Sequence, residues 1–413
     1  MPLIEVPLDL PHVRVLHTSL DGRDLTVTVE STIESVACPN CGEQTSELHS
    51  YGEPIRLRHL PILGLRTWIE LRPKRFICRR CPNTPTTTQQ LPWYEPRSPH
   101  TKAFDEWLML HLINSTQADV ARKCEVTDEQ VFGALRRQVA AEVDWKSFTR
   151  LDALGLDEIA LKKGHDDFVV IATSKQANEE LRLLGVLPDR KKETVKAFLK
   201  TIPDGLRGTI TEICIDMYEG YANAAEEVLP GVPQVVDRFH VAKAYRGCAD
   251  KLRKEELRGL KQSLEEDEYG VLKGVMWPFR AKPENLKDEQ KQQLELFFEC
   301  APELKKAYDL REALTAIFDT RQSKEEGGQA LREWQQKVRD SGLKCFNSFL
   351  TTLDNWFEQI TNYFVNRQTS GFVEGFNHKA KVLKRRCCGI FNLDHLFQRL
   401  FLDLEGYRRY SRT

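Results

Sequence analysis

The sequence predicts a multidomain α+β protein in which a small metal-binding module and a pair of helices precede an α/β domain that a long helical stretch interrupts. Three observations support this prediction: two C-x-x-C motifs in the first 81 residues, a two-helix pattern around residue 125, and strands that end in aspartates between residues 157 and 237. At 413 residues the chain is long enough for two or three domains, each with its own core.

Composition places the chain among soluble globular proteins. Hydrophobic residues make up 41% and charged residues 29%, and no apolar run approaches the length of a membrane-spanning helix. The N-terminal stretch MPLIEVPLDLPHVRV lacks the basic start and continuous apolar run of a secretory signal. A cytoplasmic protein is therefore expected, and the net charge of -1 says nothing about nucleic acid as a partner.

The two C-x-x-C motifs are expected to bind one zinc ion. Cys38 and Cys41 form the first motif, and Cys78 and Cys81 form the second. Four thiolates fill the tetrahedral coordination of Zn²⁺ and leave no open position, so the ion is expected to be structural. A redox-active dithiol is the alternative interpretation, but two matched motifs in one segment favour zinc binding over it. The predicted zinc-binding module spans residues 1–90.

Basic residues crowd the second cysteine motif, and no acidic residue lies among them in the sequence. Such a cluster suits the phosphate backbone of DNA, and a solvated surface is the alternative. The residues predicted to contact DNA here are Arg72, Lys74, Arg75, Arg79 and Arg80.

A proline-rich linker leads into a predicted helix-turn-helix DNA-binding domain at residues 100–147. The stretch STQADVARKCEVTDEQVFGALRRQV has the apolar spacing of two short packed helices. Thr127 and Gln130 predict a capping box at the start of the second helix, whereas Glu125 stands where a turn glycine is often found. The cations predicted to contact DNA phosphates are Arg122, Lys123, Arg136 and Arg137.

Beyond residue 148 the predicted order is three strands, a helix, a strand, a helix and a strand, which is the order of an RNase H-like fold. This domain is expected to comprise residues 148–240 and 366–413. Asp157 ends the first strand, and Asp216 ends TITEICID, whose apolar triplet predicts a strand buried on both faces. In this predicted fold the two strands are neighbours at the centre of the sheet. The two carboxylates are therefore placed to share a cation.

A third acid should approach the shared cation site from a late helix, and Glu374 is the candidate. In the stretch EGFNHKAKVLKRR, helical spacing puts Glu374 and Asn377 on one face. The alternative is a solvated amphipathic helix that carries one glutamate. The cations that this helix would lay along a DNA backbone are Lys381, Lys384, Arg385 and Arg386.

Asp237 competes with Asp216 for the role of second metal ligand. We favour Asp216 because Asp237 lies one strand nearer the edge of the predicted sheet, at the start of a long helix. Asp237 and His240 are instead expected either to cap that helix or to orient a ligand through a second layer of hydrogen bonds, and Asn377 is expected to belong to the same layer.

Residues 241–365 are predicted to form an all-α insertion domain between the second and third acids. Its apolar stripe is interpreted as core. Trp277 is a candidate for stacking on a displaced base.

These residues resemble the ISL-three family of bacterial insertion-sequence transposases. The resemblance rests on the cysteine module, the helix-turn-helix pattern, and the stretches LGLDEIALKKG, IDMYEGYANAAEEVLPGVPQVVDRFHV and EGFNHKAKVLKRR. It implies a DDE transposase with Asp157, Asp216 and Glu374 as its triad and Asp237-x-x-His240 as a supporting signature. It also implies binding to the terminal inverted repeats of the element, and association with the nucleoid when the protein is bound to DNA.

The expected chemistry is Mg²⁺-dependent DNA cleavage followed by strand transfer into target DNA. The three carboxylates would hold two Mg²⁺ ions, and Mn²⁺ should substitute. Because both element ends must be processed together, a homodimer or larger assembly on DNA is expected. The alternatives are a DNA-binding regulator, a domesticated transposase without catalytic activity, and an RNase H-like nuclease.

Overall fold

The computed structural model describes residues 6–161, 168–272, 274–367 and 371–411, and within these ranges the side chains of Glu268, Val271 and Glu374 lie outside the description. The chain divides into two compact units. The first comprises Met1–Ala141 with Leu383–Thr413, and the second comprises Glu142–Val382. Each unit has its own apolar core.

The strands of the described residues are β1 (Val13–Asp21), β2 (Asp24–Ser31), β3 (Val36–Ala37), β4 (Gln44–Thr45), β5 (Leu48–Tyr51), β6 (Ile55–Ile62), β7 (Leu65–Leu71), β8 (Lys74–Ile77), β9 (Thr86–Thr88), β10 (Asp152–Ala160), β11 (Phe168–Lys175), β12 (Leu181–Leu187), β13 (Ile210–Ile215) and β14 (Gln234–Val236).

The α-helices of the described residues are α1 (Lys102–Leu112), α2 (Gln117–Cys124), α3 (Asp128–Gln138), α4 (Lys192–Thr201), α5 (Asp204–Arg207), α6 (Glu219–Val228), α7 (Arg238–Ser263), α8 (Glu266–Leu272), α9 (Met276–Arg280), α10 (Asp288–Cys300), α11 (Pro302–Asp319), α12 (Lys324–Asp340), α13 (Asn347–Asn355), α14 (Phe357–Thr361), α15 (Tyr363–Asn366), α16 (Gly371–Arg386) and α17 (Leu393–Tyr410). In these parts of the chain, none of the helices combines the length and the apolar character that crossing a bilayer requires.

The first unit begins with three small sheets. The largest has the order β1-β2-β7-β6, in which β2 and β7 run parallel and the other pairs are antiparallel. Strands β3 and β4 form a hairpin, and β5, β8 and β9 form a three-stranded sheet. Together these short strands carry both cysteine motifs.

Helices α1, α2 and α3 follow in the same unit. The side chain of Thr127 accepts a hydrogen bond from the Gln130 N–H, and the Gln130 side chain accepts one from the Thr127 N–H, so the predicted capping box is confirmed. Glu125 caps the C-terminus of α2 with φ of 54°, the left-handed conformation that favours glycine.

Helix α17 also belongs to the first unit. Leu402 and Tyr410 join the apolar cluster of α1 and α3, and the buried Arg399 donates hydrogen bonds to the carbonyl oxygens of Leu112 and Ser115. This burial places residues 383–411 with the helix-turn-helix, whereas the sequence prediction assigned all of 366–413 to the α/β domain.

The second unit contains a five-stranded sheet with the order β12-β11-β10-β13-β14. Strands β10, β11 and β12 form an antiparallel meander, and β13 and β14 run parallel to β10. Helix α4, with the short α5 after it, connects β12 to β13, and α6 connects β13 to β14. The predicted order of elements is thus the observed one, with α5 added. Ile213, Cys214 and Ile215 are at most 1% exposed, which confirms a strand buried on both faces.

From Arg238 to Asn366 the regular elements of the described residues are all helical. Tyr245 lies at the centre of their core. Its ring stacks on Phe346 with the ring centres 4.7 Å apart, and its hydroxyl donates to the Ala307 carbonyl. The indole of Trp334 packs edge-on against the same tyrosine. Most of the aromatic residues in this stretch therefore serve as core, as the sequence predicts.

Candidate active site and metal centre

The register of the central strands brings Asp157 and Asp216 together. Gly155 of β10 pairs with Cys214 of the parallel β13. Asp157 lies two residues after Gly155, inside β10 and not at its end as predicted, and Asp216 lies two residues after Cys214, directly after the last residue of β13. Side chains two residues apart share one face of a sheet, so both carboxylates emerge on the same side of neighbouring strands. Burial, followed by the negative charges of Asp157 and Glu158, raises the pKa of Asp216 to about 7.

The carboxylate of Asp216 has an unmet acceptor. Its Oδ1 atom is buried and has no hydrogen-bond partner among the described residues. Two neighbouring carboxylates with such an acceptor form an unfavourable arrangement unless a cation or proton is shared between them. Hard oxygen donors of this kind fit Mg²⁺ or Mn²⁺.

Helix α16 reaches Asp157 through Asn377. The Asn377 Nδ2 donates a hydrogen bond of 2.7 Å to Oδ2 of Asp157, and the Glu158 N–H donates one of 2.7 Å to Oδ1. Asn377 is 3% exposed, and its own Oδ1 has no partner in the described part of the chain. Each oxygen of the Asp157 carboxylate therefore accepts a hydrogen bond, and the two bonds together fix its orientation.

Gly155 permits the close approach of α16 to the sheet. A Cβ atom at this position would lie 2.3 Å from Cγ2 of Val373 and 2.9 Å from the Phe372 ring. Glu374 follows Val373 on the same helix and precedes Asn377 by three positions. Its side chain lies outside the described residues, so its meeting with the two aspartates stays a prediction.

Asp237 acts as the N-cap of α7. Its carboxylate accepts a hydrogen bond of 3.2 Å from the Phe239 N–H, and the residue is 3% exposed. This is the capping role that the sequence offered as the alternative to metal binding.

His240 lies on the first turn of α7, near the acids. Burial lowers its pKa, which favours a neutral imidazole. Asp216, His240 and Lys243 line one open cavity of about 350 Å³, and Met217, Ala244 and Gly247 form the rest of its wall.

Arg190 is a site residue that the sequence analysis missed. Its Nη1 lies 3.3 Å from both Glu158 carboxylate oxygens, and its guanidinium lies 4.9 Å from the centre of the Tyr218 ring. The positive charge of Arg190 acts to lower the pKa of Asp216, against the larger effect of burial. No sequence spacing links this loop residue to the acids, so only the folded chain reveals it.

The four cysteines of the two motifs converge. Their sulfur atoms all lie within 4.8 Å of one another, with Sγ–Sγ distances of 3.8 Å from Cys38 to Cys81 and from Cys41 to Cys78. A tetrahedron with Zn–S bonds of about 2.3 Å has edges of about 3.8 Å, so the sulfur positions fit one zinc ion. The backbone N–H groups of Cys41 and Asn40 lower the pKa of the Cys38 thiol to about 7, which favours the thiolate that zinc needs.

Acidic residues from earlier in the chain pair with two of the arginines predicted to contact DNA. Arg79 lies 2.6 Å from Glu47, and Arg80 lies 3.0 Å from Glu43. The sequence showed no acid within the basic cluster, yet folding brings these two beside it. Arg75 donates to the Thr86 hydroxyl, Lys74 lies 3.4 Å from the Ile33 carbonyl oxygen, and Arg72 is exposed.

The predicted cations of the helix-turn-helix differ in their surroundings. Lys123 and Arg136 are exposed, and Arg122 is exposed beside Asp119 at 2.9 Å. Arg137 instead donates two hydrogen bonds, of 2.7 and 2.9 Å, to the buried carboxylate of Asp105. Arg137 therefore has a structural partner within the domain.

The turn residue Glu125 also has a structural partner. Arg66 lies 3.1 Å and Arg23 lies 3.5 Å from its carboxylate. Both arginines come from the β-sheet module, so the absence of a turn glycine is offset by ion pairs that join this turn to the sheet.

The four cations of α16 that are predicted to contact DNA lie in the C-terminal part of the helix, between Lys381 and Arg386. Lys381 and Arg385 are exposed, Lys384 is half-buried, and Arg386 lies 3.1 Å from Asp403.

Three family models match the chain. Residues 154–400 match a model of the ISL3 DDE type described as a transposase. Residues 34–81 match a zinc finger of the transposases IS204, IS1001, IS1096 and IS1165, and residues 89–139 match the helix-turn-helix domain of transposase family ISL3.

Curated relatives agree with these matches. The chain is 25% identical over 389 residues to the transposase for insertion sequence element IS1001 of Bordetella parapertussis, with 94% of this chain and 93% of the relative covered. It is 24% identical over 395 residues to the transposase for insertion sequence element IS1557 of Mycobacterium tuberculosis, with 90% of this chain and 86% of the relative covered.

Proposed function

The chain belongs to the ISL3 family of insertion-sequence transposases, and from this premise we propose that Asp157, Asp216 and Glu374 hold the metal ions that cut and join DNA at the ends of its element. The observation that carries the proposal is the pairing of Asp157 and Asp216 on neighbouring strands, with Asn377 of α16 fixed on Asp157. Glu374 lies on that helix three positions before Asn377, one turn away on the same face.

We propose that the unit Glu142–Val382 has an RNase H-like fold. The antiparallel meander β10-β11-β12, the parallel strands β13 and β14, and the helical connections between them support this assignment. In this reading, α7 to α15 form an all-α insertion between the second and third acids.

The side chains around the acids suit a phosphodiester substrate. Bound Mg²⁺, for which Mn²⁺ should substitute, would activate the attacking oxygen and stabilise the charge on the leaving oxygen. Asn377 orients Asp157, and the neutral His240 lines the cavity beside Asp216 without adding charge. Arg190 and Lys243 supply positive charge for the phosphate oxygens.

Two displacements at phosphorus complete the proposed reaction. In the first, a water oxygen forms a bond to the phosphorus at the element end, and the bond to the 3′-oxygen of the element strand breaks. In the second, that 3′-hydroxyl attacks a phosphodiester of the target DNA, so one P–O bond replaces another and no nucleotide energy source is needed. Because both ends take part, we propose a homodimer or larger assembly on DNA.

The zinc finger and the helix-turn-helix are DNA-binding modules, and we propose that they recognise the terminal inverted repeats. Helix α3 would lie in the major groove, as the second helix of such a pair does. The exposed cations Arg72, Lys123 and Arg136 would contact phosphates, together with Lys381 and Arg385 of α16. Arg79, Arg80 and Arg122 could exchange their acidic partners for phosphates.

Cleavage of a labelled duplex that carries the element end tests the proposal. The wild-type protein should cut one strand at the end in Mg²⁺, and Asp157→Asn, Asp216→Asn and Glu374→Gln should each abolish cutting while binding the duplex normally. Asp204→Asn is the matched control, because that side chain is 89% exposed on α5. If wild-type protein binds the duplex and leaves it intact in Mg²⁺ and in Mn²⁺, a regulator or a domesticated transposase is the better interpretation.

A further inference from the structure

A second cavity of about 420 Å³ lies on the other side of α7 from the cavity beside Asp216. The proposed chemistry does not use it. Residues from α7, α9 and α11 contribute most of its wall. The apolar part of the wall includes Phe239, Ala242, Tyr245, Leu314 and Phe318.

The cavity is connected to the active site by the helices that border both. Asp237 lines it and caps α7, the helix that carries His240 and Lys243 beside Asp216. Gly371 also lines it and begins α16, the helix that carries Asn377 to Asp157. The two cavities therefore lie on opposite sides of one helix, α7, so a ligand in this cavity contacts the helix that lines the active site.

The charge of the wall favours an anionic ligand. Five cationic side chains face three acidic ones, Asp237, Glu312 and Asp319, and a fourth acid outside the wall, Asp250, pairs with the cationic Arg280. The cationic residues are Arg238, Arg246, Arg280, Lys282 and Arg311.

Arg246 is the cation best placed to bind a phosphate. Within the described residues it forms no ion pair, and its Nε donates only to the Ala242 carbonyl of its own helix. Arg238 and Lys282 share the single carboxylate of Asp319. Arg280 and Lys282 also have acidic partners outside the wall, Asp250 and Glu284, so the positive charge available to a ligand lies on Arg246.

The aromatic part of the wall favours a planar ring beside that phosphate. Phe239 is 40% exposed, and the Arg246 guanidinium lies 5.6 Å from the centre of its ring. A base that stacks on an aromatic side chain while its phosphate meets an arginine is the common arrangement in binding of single-stranded nucleic acid. A duplex cannot enter a cavity of about 420 Å³, whereas one nucleotide fits.

We propose that this cavity holds one unpaired nucleotide of the DNA strand next to the cleaved bond, with its base on Phe239 and its phosphate on Arg246. The proposal rests on the proposed function, because it assumes DNA at the acids. Taking a base out of the duplex at this point would fix the position of the strand relative to Asp157 and Asp216.

Photocrosslinking with the full-length protein tests the base contact. Single positions near the cleaved bond of the element-end duplex are replaced by 5-iododeoxyuridine, which couples under irradiation to an aromatic side chain stacked on it. We expect one position to couple to the peptide that contains Phe239, and the coupling to be lost in Phe239→Ala. Coupling at Trp277, which is 68% exposed and outside this wall, would overturn the assignment to the cavity.

Cleavage kinetics test the phosphate contact. Phe239→Ala and Arg246→Ala should each lower the cleavage rate by roughly tenfold or more, while duplex binding by anisotropy stays within about twofold of wild type. Arg258→Ala is the matched control, because Arg258 is exposed on α7 outside the wall, and thermal unfolding curves show that each variant folds. Wild-type cleavage by Arg246→Ala would overturn the cavity proposal alone, whereas a wild-type protein that does not cleave would overturn both proposals.

Discussion

The Nδ2 atom of Asn377 donates a hydrogen bond of 2.7 Å to Oδ2 of Asp157, a contact between residues 220 positions apart in the chain. It joins the first strand of the sheet to the helix that carries Glu374. The other oxygen of Asp157, Oδ1, accepts a hydrogen bond from the Glu158 N–H, so the orientation of the carboxylate is fixed at both oxygens. The position of one acid is therefore set by the same helix that carries another.

Replacement of Asn377 should impair metal binding before it impairs folding. In Asn377→Ala we expect cleavage to fall about 10- to 100-fold, because hydrogen bonds that orient metal ligands are worth that much. The concentration of Mg²⁺ at half-maximal rate should rise, and a purely structural role would leave it unchanged. His378→Ala, an exposed neighbour on the same helix, should match wild type.

The close contact at Gly155 predicts a steric effect that a second substitution relieves. Gly155→Ala would place a methyl group 2.3 Å from Val373 Cγ2. The free energy of unfolding should therefore fall by roughly 1–3 kcal/mol, and cleavage should be lost. Adding Val373→Ala to the Gly155→Ala protein should restore part of the stability and part of the cleavage activity. Gly205→Ala is the control, since a Cβ there meets no atom within 4 Å. Urea unfolding measures the difference, and a Gly155→Ala protein as stable as wild type would contradict the packing described for α16.

Local features of this chain were predictable from sequence, and distant pairings were not. The order of strands and helices follows from apolar periodicity, and the capping box of Thr127 and Gln130 and the cysteine motifs depend on short spacings. The partners of Glu125 and Arg137 depend instead on which surfaces meet after folding. Arg66 is 59 positions from Glu125, and Asp105 is 32 positions from Arg137, with no pattern to connect them.

In the candidate site, too, short-range patterns were predictable from sequence, whereas contacts between distant residues were not. Asp157 and Asp216 could be found because each follows an apolar run, although Asp157 lies three residues before the end of β10 and Asp216 directly follows β13. Arg190 lies in a loop, and its contact with Glu158, the residue after Asp157, forms only when the chain folds. The grouping of α17 with the first unit likewise depends on burial of Leu402 and Tyr410, which periodicity alone does not assign to a partner.

Arg190 should contribute to cleavage and not to recognition of the element end. Arg190→Ala removes a positive charge beside the acids, and we expect a loss of roughly 10²-fold in the cleavage rate, as for other groups that stabilise charge in a reaction. Arg190→Lys should recover part of the rate, because it restores charge without the planar guanidinium. Lys191→Ala, whose side chain is 80% exposed, provides the control. Equal losses in duplex binding and in cleavage would show that Arg190 acts in DNA recognition instead.

Removal of zinc should unfold the cysteine module and leave the second unit folded. Cys38, Cys78 and Cys81 form a buried cluster of their own, so the metal that they bind would serve in place of a larger hydrophobic core. Chelation or Cys78→Ser should expose residues 34–81 to protease and weaken binding to the element end. Cys300→Ser, at an exposed free cysteine, should change neither. Metal analysis should give one zinc per chain, and protease resistance after complete zinc removal would argue against a structural role.

The stability of the helix-turn-helix should fall in acid because of Asp105. Burial acts to raise the pKa of this carboxyl, but the hydrogen bonds from His100 and Arg137 outweigh it and lower the pKa below its usual value. A lowered pKa in the folded state means that the stabilisation is fully present above the unfolded pKa of about 3.9 and is lost as pH falls through the folded value.

Asp105→Asn isolates this effect. The substitution leaves Arg137 without its charged partner, so we expect a loss of roughly 3–5 kcal/mol at pH 7 and a weaker dependence of stability on pH in the acid range. Asp288→Asn, at a side chain that is 94% exposed, is the control. Urea unfolding between about pH 3 and pH 7, followed by amide hydrogen exchange of α1 and α3, reports on this domain. An acid dependence unchanged by Asp105→Asn would show that another group is responsible.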